Sequence, residues 1–364
     1  MLSRWLPFEK PLVELEEQID ELKRLTAREK IDKSEQVARL EERKRALMAK
    51  IFQDLTPWEK VQMARHPKRP YPLDYIGALF SEWVELHGDR AYGDDGAVIA
   101  GFGRFNGTAV AVIGNQKGLD TKERQERNFG QASPEGLRKA QRVMQLAARF
   151  DRPVISFVDT PGAACNPDAE EHGISEAIAK NQLIMSQLPV PIVVIITGEG
   201  CSGGAIAMAL GNRVLMLEHS YYSVIAPEAC ASILHRDPAK APESAAELKI
   251  TAADAFRMSV IDEVLPEPLG GAHSNMGKMC MVLSEAIDRH LIELSDLSSD
   301  ELIEQRYARF RRLGDVGDTD LEVHAGSNGA PADNRVDEVS PANTSAGSDG
   351  DKAVSNGVAA HVAG

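Results

Sequence analysis

One stretch decides the fold of this chain, and it reads PIVVIITGEGCSGG over residues 191–204. Its β-branched run, 192–197, has the length and composition of a strand buried on both faces. Four glycines follow within seven residues, and AIAMAL at 205–210 is typical of a packed helix. Glycine is costly in backbone entropy, and a plain connector would not need four of them. The stretch therefore predicts a strand, a turn whose backbone approaches a ligand, and a helix.

The rest of the chain repeats this alternation of apolar strands and helices. We predict strands at residues 97–105, 108–114, 154–159, 192–198 and 214–217. We predict helices at residues 134–150, 170–187 and 203–210. Apolar strands that alternate with helices form parallel β-α-β units, with helices on the faces of the sheet. The expected fold class is therefore α/β.

An earlier strand also runs into a glycine turn. Residues 154–158, VISFV, continue into DTPGA at 159–163. Ligands of parallel α/β sheets bind beyond the carboxyl ends of the strands, so both turns lie where chemistry is expected. Gly162 lacks a Cβ, and its amide or that of Ala163 is expected to be free to donate. Alone, this motif is equally typical of an ordinary turn between a strand and a helix.

Two kinds of chemistry suit the later turn. The backbone amides of Gly203 and Gly204 suit an oxyanion hole, in which N–H groups stabilise a developing negative charge. Residues 200–204 also match the G-x-S-x-G pattern of a hydrolase, with Ser202 as the nucleophile. That mechanism needs a later acid and histidine, and no downstream histidine has a sequence setting that marks it as a base. We therefore favour the oxyanion site.

The two ends of the chain differ from its middle. Apolar residues recur at three- and four-residue steps over 9–55, which predicts two amphipathic helices with a break near 31–34. These helices pack either on their own domain or against another subunit. After Gly314 small and polar residues dominate, which is typical of disorder. We divide the chain into an N-terminal helical segment, 1–64, a catalytic α/β domain, 65–314, and a disordered low-complexity tail, 315–364.

Composition excludes several classes of function. The formal net charge of −14 argues against nucleic acid as a general partner, because an acidic surface repels phosphate. The four cysteines form no C-x-x-C pair and lack clustered histidines, so we expect no metal on this chain. No apolar run approaches membrane-spanning length, and residues 1–7 hold no signal-like segment. We expect a cytoplasmic protein with no membrane partner.

A series of short motifs carries a family resemblance. They are RHP at 65–67, GNQKG at 114–118, NFG at 128–130, PEGLRKA at 134–140, DTPGA at 159–163, SEAIA at 175–179, the turn at 198–204, YSVI at 222–225, PE at 227–228 and PEPLGGAH at 266–273. In this order they resemble the alpha-subunit family of the carboxyltransferase of bacterial and plastid acetyl-CoA carboxylase. The resemblance covers roughly residues 5–313, and so many ordered motifs make it specific.

The resemblance implies a fold, a reaction and partners. The fold would be crotonase-like, built of repeated β-β-α units with an N-terminal helical extension. The reaction moves a carboxyl group from carboxybiotin on the biotin carboxyl carrier protein to acetyl-CoA. The product would be malonyl-CoA, whose formation is the first committed step of fatty acid biosynthesis. The enzyme would be active only in an α2β2 assembly with a zinc-bearing beta subunit, alongside biotin carboxylase, and this chain would supply the carboxybiotin side of the site.

The same resemblance assigns roles to residues. Negative charge develops on the ureido oxygen of biotin when CO2 leaves, and freed biotin can take the proton of acetyl-CoA, so no strong protein base is expected. The backbone groups expected to stabilise that charge are those of Gly203, Gly204, Gly162 and Ala163. The residues expected to contact substrate are Gly200, Ser202, Lys117 and Arg138.

Three places depart from the family pattern. Residues 164–166 are Ala-Cys-Asn where the family continues with Tyr-Pro-Gly. Cys201 and Ala229 stand where glycine is usual, and losing glycine adds bulk and removes freedom at positive φ. Two alternatives therefore stay open: a crotonase-type acyl-CoA hydrolase that uses Ser202, and a scaffold with impaired catalysis.

Overall fold

The computed structural model describes residues 5–29 and 33–314, and the predicted tail at 315–364 lies outside them. The strands are β1 Ser81–Glu85, β2 Val98–Phe105, β3 Thr108–Asn115, β4 Val154–Thr160, β5 Ile192–Cys201, β6 Arg213–Leu217, β7 Tyr221–Ser223 and β8 Glu263–Leu265. The helices are α1 Lys10–Glu29, α2 Ser34–Gln53, α3 Pro57–Ala64, α4 Pro72–Leu79, α5 Thr121–Glu126, α6 Pro134–Arg149, α7 Pro167–Glu171, α8 Ile174–Gln187, α9 Ser202–Ile206, α10 Pro227–His235, α11 Ala241–Glu247, α12 Ala252–Arg257, α13 Met276–Ser295 and α14 Ser299–Arg311. Single 3-10 turns lie at Pro7–Glu9, Asn128–Gly130, Pro238–Lys240 and Ala272–Ser274.

The strands form one mixed sheet. Its order is β1-β2-β3-β4-β5-β6-β8, and β7 pairs with the far end of β5. Strands β3, β4, β5, β6 and β8 run parallel, which confirms the predicted parallel arrangement. Strand β1 pairs antiparallel with β2, and β2 pairs antiparallel with β3. A tight turn at Asn106 and Gly107 joins β2 to β3.

The predicted elements are present, but two boundaries were wrong. The helix expected at 170–187 is two helices, α7 and α8, because Gly173 takes a left-handed conformation between them. The helix expected at 203–210 is only the short α9, and half of the glycine-rich turn before it belongs to β5. That extension exists because β7 pairs with residues 199–201, a contact that no local pattern announces.

Two apolar layers cover the sheet, and β5 contributes to both. Val194 and Ile196 face a core that includes residues of α6 and α8. Val193 and Ile195 face the opposite core, with residues of α4 and α13. Alternate side chains of a strand point to opposite faces, so a central strand of β-branched residues is buried on both sides.

The two N-terminal helices pack together and against the same chain. Lys44 of α2 pairs with Glu16 of α1 at 2.6 Å. Helix α1 ends at Glu29 and α2 begins at Ser34, on either side of the predicted break. Leu12 and Phe52 join a small core with Met63 of α3. This packing favours the first of the two interpretations, burial on their own domain. In the described part of the chain no helix is long and apolar enough to span a membrane.

The pairing of β4 with β5 is interrupted near its carboxyl end. Val158 pairs with Ile196, but the next pair is Thr160 with Gly200. Strand β5 therefore uses four residues where β4 uses two, which is a bulge in the sheet. The turns that follow these two strands lie just beyond this break.

Candidate functional site

The two glycine turns leave the same edge of the sheet and touch. Strand β4 ends at Thr160 and β5 ends at Cys201. A Cβ placed on Gly204 would lie 2.5 Å from the carbonyl carbon of Gly162 and 2.8 Å from the amide nitrogen of Ala163. The structure thus brings Gly162, Ala163 and Gly204 together, and it leaves no room for a side chain at residue 204.

The amide of Gly162 already has a partner. It donates to Thr160 Oγ1 at 3.1 Å, and that hydroxyl donates to Gly162 O at 2.6 Å. The φ of Gly162 is +152°, a value that L side chains rarely adopt. Of the two amides expected to be free in this turn, only that of Ala163 has no acceptor among the described residues.

The amides of Gly203 and Gly204 are unpaired. They lie in the first turn of α9, whose leading N–H groups have no acceptor within the helix. No other acceptor reaches them within residues 5–29 and 33–314. Gly204 is buried and Gly203 half-buried, and a buried N–H without a partner costs about 1–3 kcal/mol. Such a position is typical of a binding site.

An apolar pocket of about 320 Å³ opens at the same turn. Ser202 and Gly203 form one side of it. The other lining side chains include those of Ile206, Tyr222 and Val224. Donors beside apolar walls suit a small ligand with one polar end and an apolar body.

Three charged residues meet where β3, β4 and β5 end. Lys117 Nζ donates to Asp159 Oδ1 at 2.6 Å and to Glu199 Oε1 at 2.7 Å. Burial disfavours the charge of Lys117, but Asp159 and Glu199 outweigh it and raise the Lys117 pKa. Burial likewise opposes the charge of Glu199, but Lys117 and Arg65 lower its pKa to about 2. Burial raises the pKa of Asp159, and Lys117 only partly opposes that shift.

A second cation completes this cluster from outside the sheet. Arg65, which follows α3, donates to Glu199 Oε2 at 2.7 Å and to Glu228 Oε1. The hydroxyl of Tyr221 donates to Glu199 Oε2 at 2.7 Å. Sequence reasoning missed this cluster, although Lys117, Asp159 and Glu199 each stand near the end of a predicted strand. That shared position was the available signal.

The substrate contacts predicted for Lys117, Arg138 and Gly200 stay predictions. The ammonium group of Lys117 is held inside the chain by two carboxylates. Arg138 donates to Asp89 Oδ2 at 2.8 Å, to Glu135 Oε1 at 2.9 Å and to a backbone carbonyl. Gly200 lies in β5, and a Cβ there would come within 3.0 Å of a neighbouring ring carbon. Each of the three has a structural role in the folded chain.

Ser202 is exposed, as a serine nucleophile must be, but among the described residues it lacks an adjacent base. It is exposed and has a φ of +55°. Its hydroxyl makes no hydrogen bond with any residue that the structure describes, and no histidine is aligned with it there. A serine nucleophile needs an adjacent base within hydrogen-bond reach. The described residues thus do not assemble a catalytic triad around Ser202.

The departures from the family pattern are accommodated locally. Cys201 has a φ of −121°, which any residue adopts, so the position does not require glycine. Burial, followed by the charge of Glu199, raises the pKa of its thiol to about 11. Asn166 caps α7 by accepting the Ala169 N–H at 2.8 Å. Ala229 is exposed in α10, where alanine favours a helix over glycine by about 1 kcal/mol.

One group of side chains has the composition of a metal site. Among the described residues Glu9, His66 and His273 place their ligand atoms within 4.8 Å of one another. The two imidazole rings stack 3.8 Å apart at 11°, so their in-plane lone pairs do not converge. The Lys68 N–H donates to His66 Nδ1, which leaves the proton of neutral His66 on Nε2, 3.4 Å from Glu9 Oε2. This arrangement fits a histidine N–H beside a carboxylate and not a metal ion.

Comparison with known proteins identifies close relatives. The family described as acetyl co-enzyme A carboxylase carboxyltransferase-like matches residues 5–314. The acetyl-coenzyme A carboxylase carboxyl transferase subunit alpha of Heliobacterium modesticaldum is 51% identical over 309 residues, which cover 85% of this chain and 92% of that protein. The subunit of the same name from Syntrophotalea carbinolica is 52% identical over 310 residues, which cover 85% and 98%.

Solved structures share the fold at low identity. A structure of transcarboxylase 12S with methylmalonyl-coenzyme A and methylmalonic acid bound matches with a TM-score of 0.51 and 19% identity, over 61% of this chain and 41% of that one. A Pseudomonas malonate decarboxylase hetero-tetramer in complex with coenzyme A matches with a TM-score of 0.50 and 18% identity, over 61% and 91%. The expected α/β fold is thereby confirmed. The chain belongs to the acetyl-CoA carboxylase carboxyltransferase family, among the relatives of its alpha subunit.

Proposed function

We propose that this chain is the alpha subunit of an acetyl-CoA carboxylase carboxyltransferase. In this role it transfers a carboxyl group from carboxybiotin on the carrier protein to acetyl-CoA and gives malonyl-CoA, the first committed step of fatty acid biosynthesis. The family match and the names of relatives about 50% identical over 85% of the chain support it. The observation that carries it is the contact of two turns where the amides of Ala163, Gly203 and Gly204 have no acceptor among the described residues.

The chemistry of carboxyl transfer suits these amides. As CO2 leaves carboxybiotin, negative charge develops on the ureido oxygen of biotin. Amides of Gly203 and Gly204, with that of Ala163 opposite, donate to this oxygen and lower the barrier. The loss of one such donor costs about 3–4 kcal/mol in related oxyanion sites. The amides are fixed in position before the reaction, because Gly204 packs directly on the backbone of Gly162.

Proton transfer does not require a base from this chain. The biotin anion that remains after loss of CO2 is itself basic and can remove the proton of acetyl-CoA. Among the described residues no serine–histidine pair is assembled at the turns, which suits a reaction of this kind. The pocket beside Gly203 has apolar walls for the ring of the carrier-bound cofactor.

The proposal includes partners and an organisation of the chain. A beta subunit in an α2β2 assembly holds most of the acetyl-CoA and carries zinc, and biotin carboxylase and the carrier protein act with it. The proposed location is the cytoplasm. We keep the division into residues 1–64, 65–314 and 315–364 as part of the proposal.

The test is carboxyl transfer by the assembled enzyme. The chain is copurified with a carboxyltransferase beta subunit, and malonyl-CoA is measured from acetyl-CoA and a carboxybiotin donor. We expect turnover by the complex and none by either subunit alone. A properly assembled complex without turnover would contradict the proposal and would favour the scaffold alternative, which keeps assembly but has lost catalysis.

A variant at Ser202 separates the proposal from the hydrolase alternative. Ser202→Ala removes a pocket hydroxyl that was expected to contact substrate and keeps the backbone donors of Gly203 and Gly204, so we expect carboxyl transfer to fall by no more than about tenfold. Acyl-CoA hydrolysis by the isolated chain, abolished in Ser202→Ala, would instead establish the hydrolase.

A further inference from the structure

The break between β4 and β5 lies just before the two turns. Past Val158 and Ile196 the regular ladder stops, and it resumes only at Thr160 and Gly200. A bulge weakens the backbone hydrogen bonding that would otherwise hold two strand ends in register. The position of one turn against the other therefore depends on contacts beyond the ladder.

The side chains of Lys117, Asp159 and Glu199 span this break. Asp159 Oδ1 accepts the Glu199 N–H at 2.9 Å and also accepts Lys117 Nζ at 2.6 Å. Lys117 reaches Glu199 Oε1 at 2.7 Å, so one ammonium joins a carboxylate from each strand. Without Lys117, Arg65 would still pair with Glu199 Oε2, but the buried carboxylate of Asp159 would face Glu199 with no ion pair of its own among the described residues. A nearby like charge in a poorly solvated site disfavours the ionised form of Asp159.

Neighbouring glycines leave space for these three side chains. A Cβ on Gly198 would lie 2.4 Å from Asp159 Oδ1. A Cβ on Gly130, whose φ is +81°, would lie 2.8 Å from Lys117 Cγ. The glycine content here is thus explained in part by the charged cluster, and not by ligand approach alone.

We propose that Lys117 is a positioning residue for carboxyl transfer. Its two ion pairs hold the carboxyl ends of β4 and β5 together across the break, and this fixes the contact of Gly204 with Gly162. Lys117 acts through the turns and does not touch substrate. This inference rests on the proposed function wherever it is tested by the rate of carboxyl transfer.

The test compares two lysine-to-methionine variants in the complex with the beta subunit. Lys117→Met keeps the length of the side chain and removes the charge. A misplacement of about 1 Å costs on the order of 100-fold in rate, so we expect kcat to fall about 100-fold. The KM values for the carboxybiotin donor and for acetyl-CoA should both stay within about threefold. Lys139→Met is the matched control, because Lys139 is also buried and pairs with Asp94 at 2.6 Å, away from β4 and β5. We expect its kcat to stay within about threefold of the unmodified chain.

A double variant tests the reason for the loss. In Lys117→Met with Asp159→Asn, the amide oxygen still accepts the Glu199 N–H, and the repulsion between two carboxylates is gone. We expect about tenfold recovery of kcat over Lys117→Met. If Lys117→Met does not fold, the double variant replaces it in the test. We then expect a kcat about tenfold below that of the unmodified chain, with unchanged KM values for the carboxybiotin donor and for acetyl-CoA. A raised KM for the carboxybiotin donor or for acetyl-CoA would overturn the proposal and make Lys117 a substrate contact.

Hydrogen exchange gives a readout that does not need catalysis. In the full chain alone, Lys117→Met should speed exchange of the hydrogen-bonded amides of Gly162 and Ala164 in the first turn and of Glu199 in the second, and Lys139→Met should not. Equal exchange at both turns in the two variants would overturn the role of Lys117. An inactive complex of unmodified chains would instead count against the proposed function and leave this measurement decisive for Lys117.

Discussion

The turn after β4 has one glycine and the turn after β5 has two adjacent glycines, and these glycines have different roles. In the first turn the hydroxyl of Thr160 accepts a hydrogen bond from the Gly162 N–H, and glycine is needed there for its φ of +152°. In the second turn the amides of Gly203 and Gly204 have no acceptor among the described residues, and Gly204 lacks space for a Cβ. In the first turn only the Ala163 amide is thus left to donate, whereas the second turn offers both of its glycine amides.

The largest effect is expected where the turns touch. Gly204→Ala would place a Cβ 2.5 Å from a backbone carbon, which cannot move aside as a side chain can. We expect carboxyl transfer in the assembled enzyme to fall at least about 100-fold, because the amides shift. Overpacking should lower the free energy of unfolding by about 1–3 kcal/mol, measured by denaturant titration.

Gly203→Ala is the control for that substitution. Its Cβ would lie 3.0 Å from Ile178 Cδ1, the end of a flexible side chain that can move away. We expect a loss of less than about tenfold in the same assay, and a smaller loss when Ile178→Val makes room. Equal losses in Gly203→Ala and Gly204→Ala would contradict the importance of the contact with Gly162.

A smaller effect is expected from the support within the first turn. Thr160→Val removes the hydroxyl that accepts the Gly162 N–H and leaves that buried amide unpaired. We expect the free energy of unfolding to fall by about 1–3 kcal/mol. Carboxyl transfer should fall about tenfold as the turn relaxes, and Thr160→Ser should retain most of it. Full activity in Thr160→Val would show that the first turn does not need this bond.

The smallest effect is expected at Cys201. Its backbone is extended, so Cys201→Gly relieves no strain and removes a buried side chain. We expect the free energy of unfolding to fall by about 1–2 kcal/mol and carboxyl transfer to change less than about twofold. A large gain in activity would mean instead that Cys201 impairs this member of the family.

The sequence predicted the strands that carry this site, but it did not predict the long-range contacts between them. The runs at 154–159 and 192–198 have the composition of buried strands, and β4 and β5 are there. The helix expected at 203–210 was wrong in its length. The strand before it is longer than predicted because β7 pairs with the end of β5, a contact between residues about 20 positions apart. Nothing in a local window records such a pairing.

The charged cluster was hidden for a similar reason. Asp159 and Glu199 lie 42 and 82 residues after Lys117 in the chain, and only the sheet brings the three together. Lys117 was expected to contact substrate because of the family resemblance, which says nothing of its partners within the chain. Its partners could have been suspected from three charges near the ends of parallel strands.

Removal of a single N–H group tests the central claim most directly. An amide-to-ester replacement at residue 204, with glycolate in place of glycine, deletes the donor without adding bulk. In the complex with the beta subunit we expect kcat for malonyl-CoA formation to fall about 100- to 1000-fold. The same replacement at residue 162, whose N–H is held by Thr160, should cost less than about tenfold. Equal kcat for the ester at 204 and the unmodified chain would contradict the claim that this turn stabilises the oxyanion.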